Sequence, residues 1–290
     1  MNKSRMNLTS VILNLCISFS LISEMKLKAN SDEFLILNDN LLFGFGAELG
    51  AVLGALDYYE KGNYAGLEVV YDTGLYLDPL PAEQNWWNCY FEPIHLGNAS
   101  NQDKYYFSYK ESLSILRSAY NSSRERNAEL IQRYIQVKPE IEAAVDSYIN
   151  KHFSGCYVIG VHHRGTDKSL EAKILDYSES KKAVRAIMKT LSNAEKKNVK
   201  IYVATDDQFF LDYMIKKFGS TVIYNKFTRS KNDKPLHYGQ NLYPNNYEKG
   251  REAIVDALIL SRTSILIRPS ASSFSWMSTC FNPNLPVVYL

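Results

Sequence analysis

The sequence predicts an α/β protein with parallel β-sheets, and three features of its pattern support that assignment. Short aliphatic runs recur along residues 151–290, and stretches of helical length separate them. The same alternation opens the first half of the chain, at residues 34–71. Strands separated by helices are joined by right-handed crossovers, so they pair in parallel within doubly wound sheets. Ligands of such sheets bind beyond the carboxyl ends of the strands, where we therefore look for functional residues.

Residues 31–150 are interpreted as an N-terminal α/β domain. Residues 34–37 predict a buried strand, the turn formed by Gly44, Phe45 and Gly46 predicts a tight connection, and residues 47–59 predict a helix. A second strand is predicted at residues 67–71. The helical pattern from 109 to 150 is broken near Pro139.

An aromatic segment at residues 85–91 contains the adjacent Trp86 and Trp87. On an extended chain they point to opposite sides, so one indole would pack in the core and the other would face a ligand cleft, where a sugar ring could stack on it. Burial of both indoles is the alternative. In that case the sugar site is sought at residues 44–48 instead.

Residues 151–290 are interpreted as a second α/β domain that begins after a polar, glycine-containing stretch at 150–155. Its predicted strands are residues 156–162, 200–205, 221–225, 265–267 and 287–290. Its predicted helices are residues 181–194, 208–218, 247–261 and 274–280.

The first strand of this second domain ends in a dense group of polar residues, His162-His163-Arg164-Gly165-Thr166-Asp167-Lys168. An arginine can fork two oxygens of a diphosphate, and a glycine lets the backbone approach it closely, so the pattern favours an anion site. The alternative is a salt bridge between Arg164 and Asp167, with His162 in the core.

Three further groups of candidate functional residues lie at a strand end, at a helix start and on one helix face. Asp206 and Asp207 come directly after a strand, and one of them is expected to cap the next helix. A serine run, comprising Ser270, Ser272 and Ser273, opens the last helix, where free N–H groups suit a phosphate, although such serines also cap helices without a ligand. Glu252 and Asp256 share one helix face at i and i+4. Local sequence does not say whether these two carboxylates are exposed or buried for a partner.

Composition limits the classes of partner. The chain has 290 residues, with 33 Lys and Arg against 31 Asp and Glu, so its net charge of +2 gives no global reason to expect nucleic acid or an anionic membrane. The four cysteines show no metal-type spacing, which predicts neither a zinc site nor a disulfide framework.

The first 30 residues form a separate segment in which Lys3 and Arg5 precede an apolar run at residues 8–22. This is typical of a signal peptide or a short anchor, and a frayed leader is the alternative. Membrane association is expected only through this segment, and the compartment and the oligomeric state stay open.

The strand-end motifs together carry a resemblance. Residues 160–168 with Glu171, residues 203–207, residues 251–261 with Asp256, and residues 270–273 resemble the α-1,6-fucosyltransferase family, which includes the enzyme that core-fucosylates N-glycans and the rhizobial nodulation fucosyltransferase. The similarity covers about the last 135 residues in order. The turn at residues 44–48 resembles the family's N-terminal glycine turn more weakly.

The resemblance implies a GT-B-like fold, two Rossmann-like domains whose parallel sheets face a cleft, and inverting transfer of fucose from GDP-fucose to a carbohydrate or other hydroxyl acceptor. It implies that residues 151–290 bind GDP-fucose and that residues 31–150 form the acceptor side, with Gly44, Gly46, Trp86 and Trp87 as candidate acceptor contacts. No cofactor and no metal are implied. By position, Arg164 resembles the pyrophosphate arginine, His162 and Asp256 resemble guanine contacts, and Ser272 or Ser273 resembles a phosphate ligand. Lys168 and Glu171 resemble the pair that assists catalysis, with Glu171 as base.

Two departures from the family pattern bear on these assignments. The core enzymes carry a second arginine where this chain has Gly165, and the spacing from Lys168 to Glu171 is one residue shorter. A transferase for another nucleotide sugar and a catalytically silent nucleotide- or glycan-binding protein are the alternatives.

Overall fold

Two β-sheets with helices around them make up the protein, as the sequence predicts. The computed structural model describes residues 32–38, 41, 43–72, 75–76, 85–99, 102–165, 175–231 and 243–290. The predicted leader at residues 1–30 lies outside the described residues. Among the helices that are described, none has the length and apolar character needed to cross a membrane.

The first sheet has four strands in the order β3-β2-β1-β4. Strands β2 and β4 run parallel to β1, whereas β3 is antiparallel to β2. Its strands are β1 (Phe34–Asn38), β2 (Gly66–Val70), β3 (His95–Gly97) and β4 (Lys104–Tyr106). Strands β3 and β4, which the sequence pattern did not predict, are three-residue edge strands whose exposed residues break the apolar run typical of a parallel strand.

In the described part of the first half, the helices are α1 (Phe45–Lys61), α2 (Tyr109–Asn121), α3 (Arg124–Tyr134) and α4 (Pro139–His152). The region predicted as one helical stretch with a break near Pro139 has a second break at Ser122 and Ser123. The Ser123 side chain accepts a hydrogen bond from the Arg126 amide and so caps the start of α3.

The second sheet has five parallel strands in the order β7-β6-β5-β8-β9. They are β5 (Tyr157–His163), β6 (Val199–Thr205), β7 (Val222–Ile223), β8 (Ile265–Arg268) and β9 (Val287–Tyr289). The chain leaves β5 toward β6 on one side and later returns to β8 on the other. The carboxyl end of β5 therefore lies at a topological switch point, the usual ligand site of such sheets.

The helices of this half are α5 (Tyr177–Thr190), α6 (Asn193–Lys197), α7 (Gln208–Phe218), α8 (Asn246–Ser261) and α9 (Ser273–Phe281). The single helix predicted at residues 181–194 is divided between α5 and α6. Ser192 is the N-cap of α6 and forms a capping box with Glu195. The Ser192 side chain accepts a hydrogen bond from the Glu195 backbone amide, and the Glu195 carboxylate accepts one from the Ser192 backbone amide.

A hydrophobic core joins the two halves of the chain. Leu49 and Leu53 of α1 belong to the same buried cluster as Met277 and Cys280 of α9, and α8 packs against α4. A Cβ atom added at Gly46 would lie 2.5 Å from the backbone oxygen of Ser273, so the first turns of α1 and α9 touch only because residue 46 has no side chain. The domain boundary near residue 150 stays a prediction.

Gly54→Ala is expected to destabilise the protein, because the added Cβ would lie 2.0 Å from the backbone oxygen of Ile115, where α1 crosses α2. Overpacking of this kind costs about 1–3 kcal/mol, which exceeds the gain of up to about 1 kcal/mol in helix propensity. Urea unfolding measures the difference. Gly44→Ala is the matched control, since nothing lies within 4 Å of the added atom. A Gly54→Ala variant more stable than the parent would contradict the proposed contact.

Candidate functional site

An open cleft lies at the carboxyl ends of β5 and β6. Both halves of the chain contribute to its walls. The first half supplies Gly44, Phe45, Gly46 and Tyr76, and the second supplies His162, Arg164, Thr205, Asp206, Phe227, Thr228, Tyr243, Lys249, Glu252, Ala253, Asp256, Ser273 and Phe274.

His162 ends up in the cleft wall, and its ring is held from behind by a polar chain. Arg268 Nε donates to Ser275 Oγ over 3.0 Å, and Ser275 Oγ lies 2.8 Å from His162 Nδ1. The contact with Ser275 holds the His162 ring in place, and the arginine behind the serine holds the serine hydroxyl.

The neighbouring His163 lies in the core. One alternative from the sequence had placed His162 there instead. Its side chain is buried, and its ring stacks on Phe210 with centroids 4.0 Å apart. Alternation along β5 puts these two histidines on opposite faces of the sheet.

Arg268 is a site residue that the sequence reasoning missed. It is 3% exposed, and burial lowers the pKa of its guanidinium. Besides Ser275, it donates to the carbonyl oxygens of Ser272 at 2.6 Å and Ser270 at 3.3 Å. It therefore fixes the turn between β8 and α9. An arginine that ends an otherwise apolar strand is the signal that could have revealed it.

Arg164 lies half-buried in the cleft wall, directly after β5. The next residue, Gly165, donates its amide hydrogen to Asp206 Oδ1 over 3.0 Å, which ties the turn after β5 to the turn after β6. A Cβ at Gly165 would lie 2.5 Å from Asp207 Oδ2, so this position has no room for a second long side chain. Asp167, the predicted alternative partner of Arg164, lies outside the described residues.

The two adjacent aspartates have different positions. Asp207 is the N-cap of α7, where its Oδ1 accepts from the amides of Phe209 and Phe210 at 2.8 and 3.2 Å. Asp206 faces the cleft. The sequence predicted that one of them would cap the helix, and the structure identifies which.

Glu252 and Asp256 both face the cleft from α8, as their i, i+4 spacing allows. Glu252 accepts the Thr228 amide hydrogen over 2.9 Å. Asp256 Oδ1 accepts from the Tyr202 hydroxyl at 2.5 Å and the Asn225 side-chain amide at 2.8 Å. Burial raises the pKa of both carboxyl groups, and these hydrogen bonds oppose the rise.

The serine run is divided by the fold. Ser273 lies in the cleft wall at the first turn of α9, whereas Ser270 is exposed outside that wall. Ser272 is the N-cap residue and is 1% exposed. Within the described part of the chain, its hydroxyl has no hydrogen-bond partner.

The prediction that one tryptophan faces the cleft is wrong. Residues Trp86–Cys89 form a 3-10 helix instead of an extended strand, so the two indoles do not alternate. Trp86 is 1% and Trp87 0% exposed; Trp86 stacks on Tyr71 and Trp87 on Phe91. Neither indole offers a face to a sugar, and the cleft edge on this side is formed by Gly44, Phe45 and Gly46.

Lys168 and Glu171 lie outside the described residues, so their predicted roles stay predictions. Lys249, Tyr76, Thr228 and Tyr243 are among the cleft residues that the sequence reasoning did not assign. Across the residues with described coordinates, no group of three or more His, Cys, Asp or Glu side chains could hold a metal ion.

Comparison with known proteins identifies relatives for most of the chain. The sequence profile of the family described as Nodulation protein Z (NodZ) matches residues 116–286. Nodulation protein Z of Bradyrhizobium diazoefficiens is 24% identical over 243 residues, which cover 77% of this chain and 64% of that protein. The Sinorhizobium fredii protein of the same name is 25% identical over 242 residues, covering 73% of this chain and 71% of that protein.

Solved structures agree with the fold. The crystal structure of NodZ α-1,6-fucosyltransferase soaked with GDP-fucose matches with a TM-score of 0.63 and 21% identity, covering 89% of this chain and 95% of that one. Arabidopsis thaliana FUT1 in complex with GDP matches with a TM-score of 0.53 and 9% identity, covering 91% and 71%. These are GT-B-type proteins, so the predicted GT-B-like fold is confirmed.

Tyr202→Phe is expected to destabilise the protein at pH 7 by about 1.5–3 kcal/mol, because Asp256 loses a hydrogen bond to a charged group. Burial already holds the native pKa of Asp256 above its unfolded value, so its ionisation costs stability as the pH rises through the native pKa. Removing the tyrosine hydroxyl raises the native pKa of Asp256 further, because that hydroxyl stabilises the ionised form. The loss of stability caused by Tyr202→Phe should therefore become smaller as the pH falls below the native pKa.

Urea unfolding at a series of pH values from 7 down into the acid range measures this difference. In an Asp256→Asn background, Tyr202→Phe should lower the free energy of unfolding much less, because no charged acceptor is left. The double-mutant cycle is therefore the control. An equal cost in both backgrounds would show that Tyr202 acts through packing alone.

Proposed function

This chain belongs to the Nodulation protein Z family, and we propose that it is an inverting glycosyltransferase that moves fucose from GDP-fucose to a hydroxyl of a carbohydrate acceptor. One observation carries the proposal. A guanidinium, a buried carboxylate and the first turns of two helices meet in a single cleft at the switch point of a parallel sheet.

The nucleobase is proposed to bind at Asp256. Tyr202 and Asn225 occupy its Oδ1, which leaves Oδ2 to accept from a ligand. Guanine presents N1–H and its 2-amino group as neighbouring donors, a pair that suits a carboxylate. His162, whose ring the Arg268–Ser275 chain holds through Nδ1, is proposed to contact the same base through Nε2.

The diphosphate is proposed to bind at Arg164 and at the first turn of α9. Arginine presents parallel N–H groups that match two phosphate oxygens, and the free N–H groups of a helix N-terminus add positive potential. Ser273 begins α9 in the cleft wall, and Gly46 brings the start of α1 to the same place. These groups oppose the charge that the departing diphosphate gains in the transition state.

The transfer itself breaks the bond between the anomeric carbon and the phosphate oxygen, and its electron pair leaves with GDP. An acceptor oxygen forms the new bond from the opposite face and gives its proton to a base. Glu171 is proposed as that base on the family resemblance alone, with Lys168 assisting beside it. The acceptor is proposed to enter along the edge formed by Gly44, Phe45 and Gly46. The proposal specifies this acceptor only as a carbohydrate hydroxyl.

GDP is expected to raise the melting temperature, and UDP or CDP is not, because pyrimidines lack the donor pair that suits Asp256. At a hundred times its Kd, a ligand of the native state stabilises by about 2.7 kcal/mol, which corresponds to a shift of several degrees. A thermal-shift assay with the three diphosphates measures this. Equal shifts with UDP would favour a transferase for another nucleotide sugar. Binding of GDP without hydrolysis or transfer of GDP-fucose would favour the silent binding protein.

Arg164→Lys is expected to lower the turnover of GDP-fucose about a hundredfold or more with the fold intact, since one ammonium cannot reproduce the two-pronged contact. Release of GDP measures turnover, and circular dichroism checks the fold. Arg185→Lys on the exposed face of α5 is the matched control. Activity within a few fold of the parent would assign Arg164 a purely structural role.

A further inference from the structure

We infer that Arg229 is a positioning residue for recognition of the nucleobase, acting from behind the cleft wall on the carboxylate of Asp256. The inference rests on the proposed function, which places the base at Asp256. It assigns a role to a side chain that belongs neither to the sequence motifs nor to the described cleft wall.

Arg229 belongs to residues 224–230, called here the β7 segment because they directly follow β7. The segment contains neither a helix nor a sheet strand. Two of its members, Phe227 and Thr228, form part of the cleft wall. Backbone groups outside regular structure need other hydrogen-bond partners, so the path of this segment depends on its side-chain contacts.

Two contacts join the β7 segment to the carboxylates of α8. The Asn225 side-chain amide donates to Asp256 Oδ1 over 2.8 Å. The Thr228 backbone amide donates to Glu252 Oε2 over 2.9 Å. Asn225 Nδ2 also lies 2.9 Å from the hydroxyl of Tyr202, the other donor to Asp256. The segment therefore orients the carboxylate that is proposed to bind the base.

The Arg229 guanidinium holds the segment in this shape. Its Nη1 donates to the Phe227 carbonyl oxygen over 3.0 Å, and its Nη2 donates to the Asn225 carbonyl oxygen over 2.7 Å. Its Cζ lies 5.4 Å from the centre of the Tyr224 ring, a cation–π contact that keeps the charge in place. One guanidinium thus bridges two carbonyl groups of the segment, and one of them belongs to Asn225 itself.

The charge of Arg229 also favours binding of the base. Burial raises the pKa of Asp256, and the positive charge of Arg229 is among the influences that lower it. The ionised carboxylate is the form that accepts hydrogen bonds from both guanine donors. Because both Nη atoms of Arg229 are bonded to carbonyl oxygens behind the wall, its effect on the ligand passes through Asn225 and Asp256.

Arg229→Met tests the assignment with two nucleotides that differ by one donor. GDP presents N1–H and a 2-amino group, whereas inosine diphosphate (IDP) presents N1–H alone. In the parent protein we expect GDP to bind about tenfold more tightly than IDP, because Asp256 accepts from both donors of guanine. In Arg229→Met the preference should fall to about threefold or less, since the carboxylate is no longer aligned with both donors. Isothermal titration calorimetry measures both Kd values.

Arg133→Met is the matched control. The Arg133 guanidinium carbon also lies over a tyrosine ring, 5.8 Å from the centre of Tyr134, but it belongs to α3 and lies outside the described cleft wall. The preference for GDP over IDP should stay as it is in the parent. A loss of preference in this control equal to the loss in Arg229→Met would contradict the inference.

The outcomes separate this inference from the proposed function. Failure of the parent to bind GDP would overturn the proposed function. Equal affinity of the parent for GDP and IDP would overturn the contact between Asp256 and the base, and this inference with it. A preference that Arg229→Met retains, even with a lower melting temperature, would overturn only the role of Arg229.

Arg229→Lys is the second variant and covers a methionine variant that does not fold. A single ammonium cannot reproduce the fork that bridges the two carbonyl groups, so the preference for GDP should fall in this variant too. Circular dichroism checks the fold of each variant. Full retention of the preference in Arg229→Lys would contradict the inference.

Discussion

The close contact between the first turns of α1 and α9 determines the geometry of the cleft. Gly46 meets the backbone of Ser273 at a distance that no Cβ atom would permit, so the two helix N-termini point into one space. Each N-terminus has amide hydrogens that its own helix cannot satisfy. The fold thus concentrates positive potential where the strands of the second sheet end, and the charged side chains add to a field that the backbone has already set.

The polar groups behind the cleft are as important as those in its wall. Arg268 is a buried cation, and Asp256 is a carboxylate within a largely apolar core. Burial of either group is unfavourable unless hydrogen bonds compensate for it. Hydrogen bonds to Ser275, Ser272 and Ser270 stabilise Arg268, and hydrogen bonds from Tyr202 and Asn225 stabilise Asp256. The same contacts orient the His162 ring and the Asp256 carboxylate. Stability and site geometry depend on the same hydrogen bonds.

Much of this arrangement could be predicted from the sequence, because local patterns determine it. The strands and helices of the second half follow from apolar runs and caps, and helix α7 begins and ends where the pattern indicates. The cleft positions of His162, Arg164, Asp206, Asp256 and Ser273 follow from their places after strands or on one helix face.

Other features depend on contacts between distant segments, which local patterns do not contain. Trp86 and Trp87 are buried because a 3-10 turn packs them against Tyr71 and Phe91. The sequence does not distinguish Lys249 from other helical lysines, because its contact with the Tyr76 ring forms only in the folded chain. Arg268 gains its role only when Ser275 and His162 come together. Three-residue edge strands such as β3 are likewise defined by their partners.

The shared core of the two halves has a consequence for how the protein is made. Helix α1 ends at Lys61 and helix α9 begins only at Ser273, yet side chains of both helices belong to one hydrophobic cluster. During synthesis, the apolar face of α1 can therefore be covered by α9 only after all the residues between them have been made. Contacts between such distant segments slow folding and leave apolar surface exposed in the meantime. Truncation even a few residues before Ser273 would therefore remove part of the core around α1.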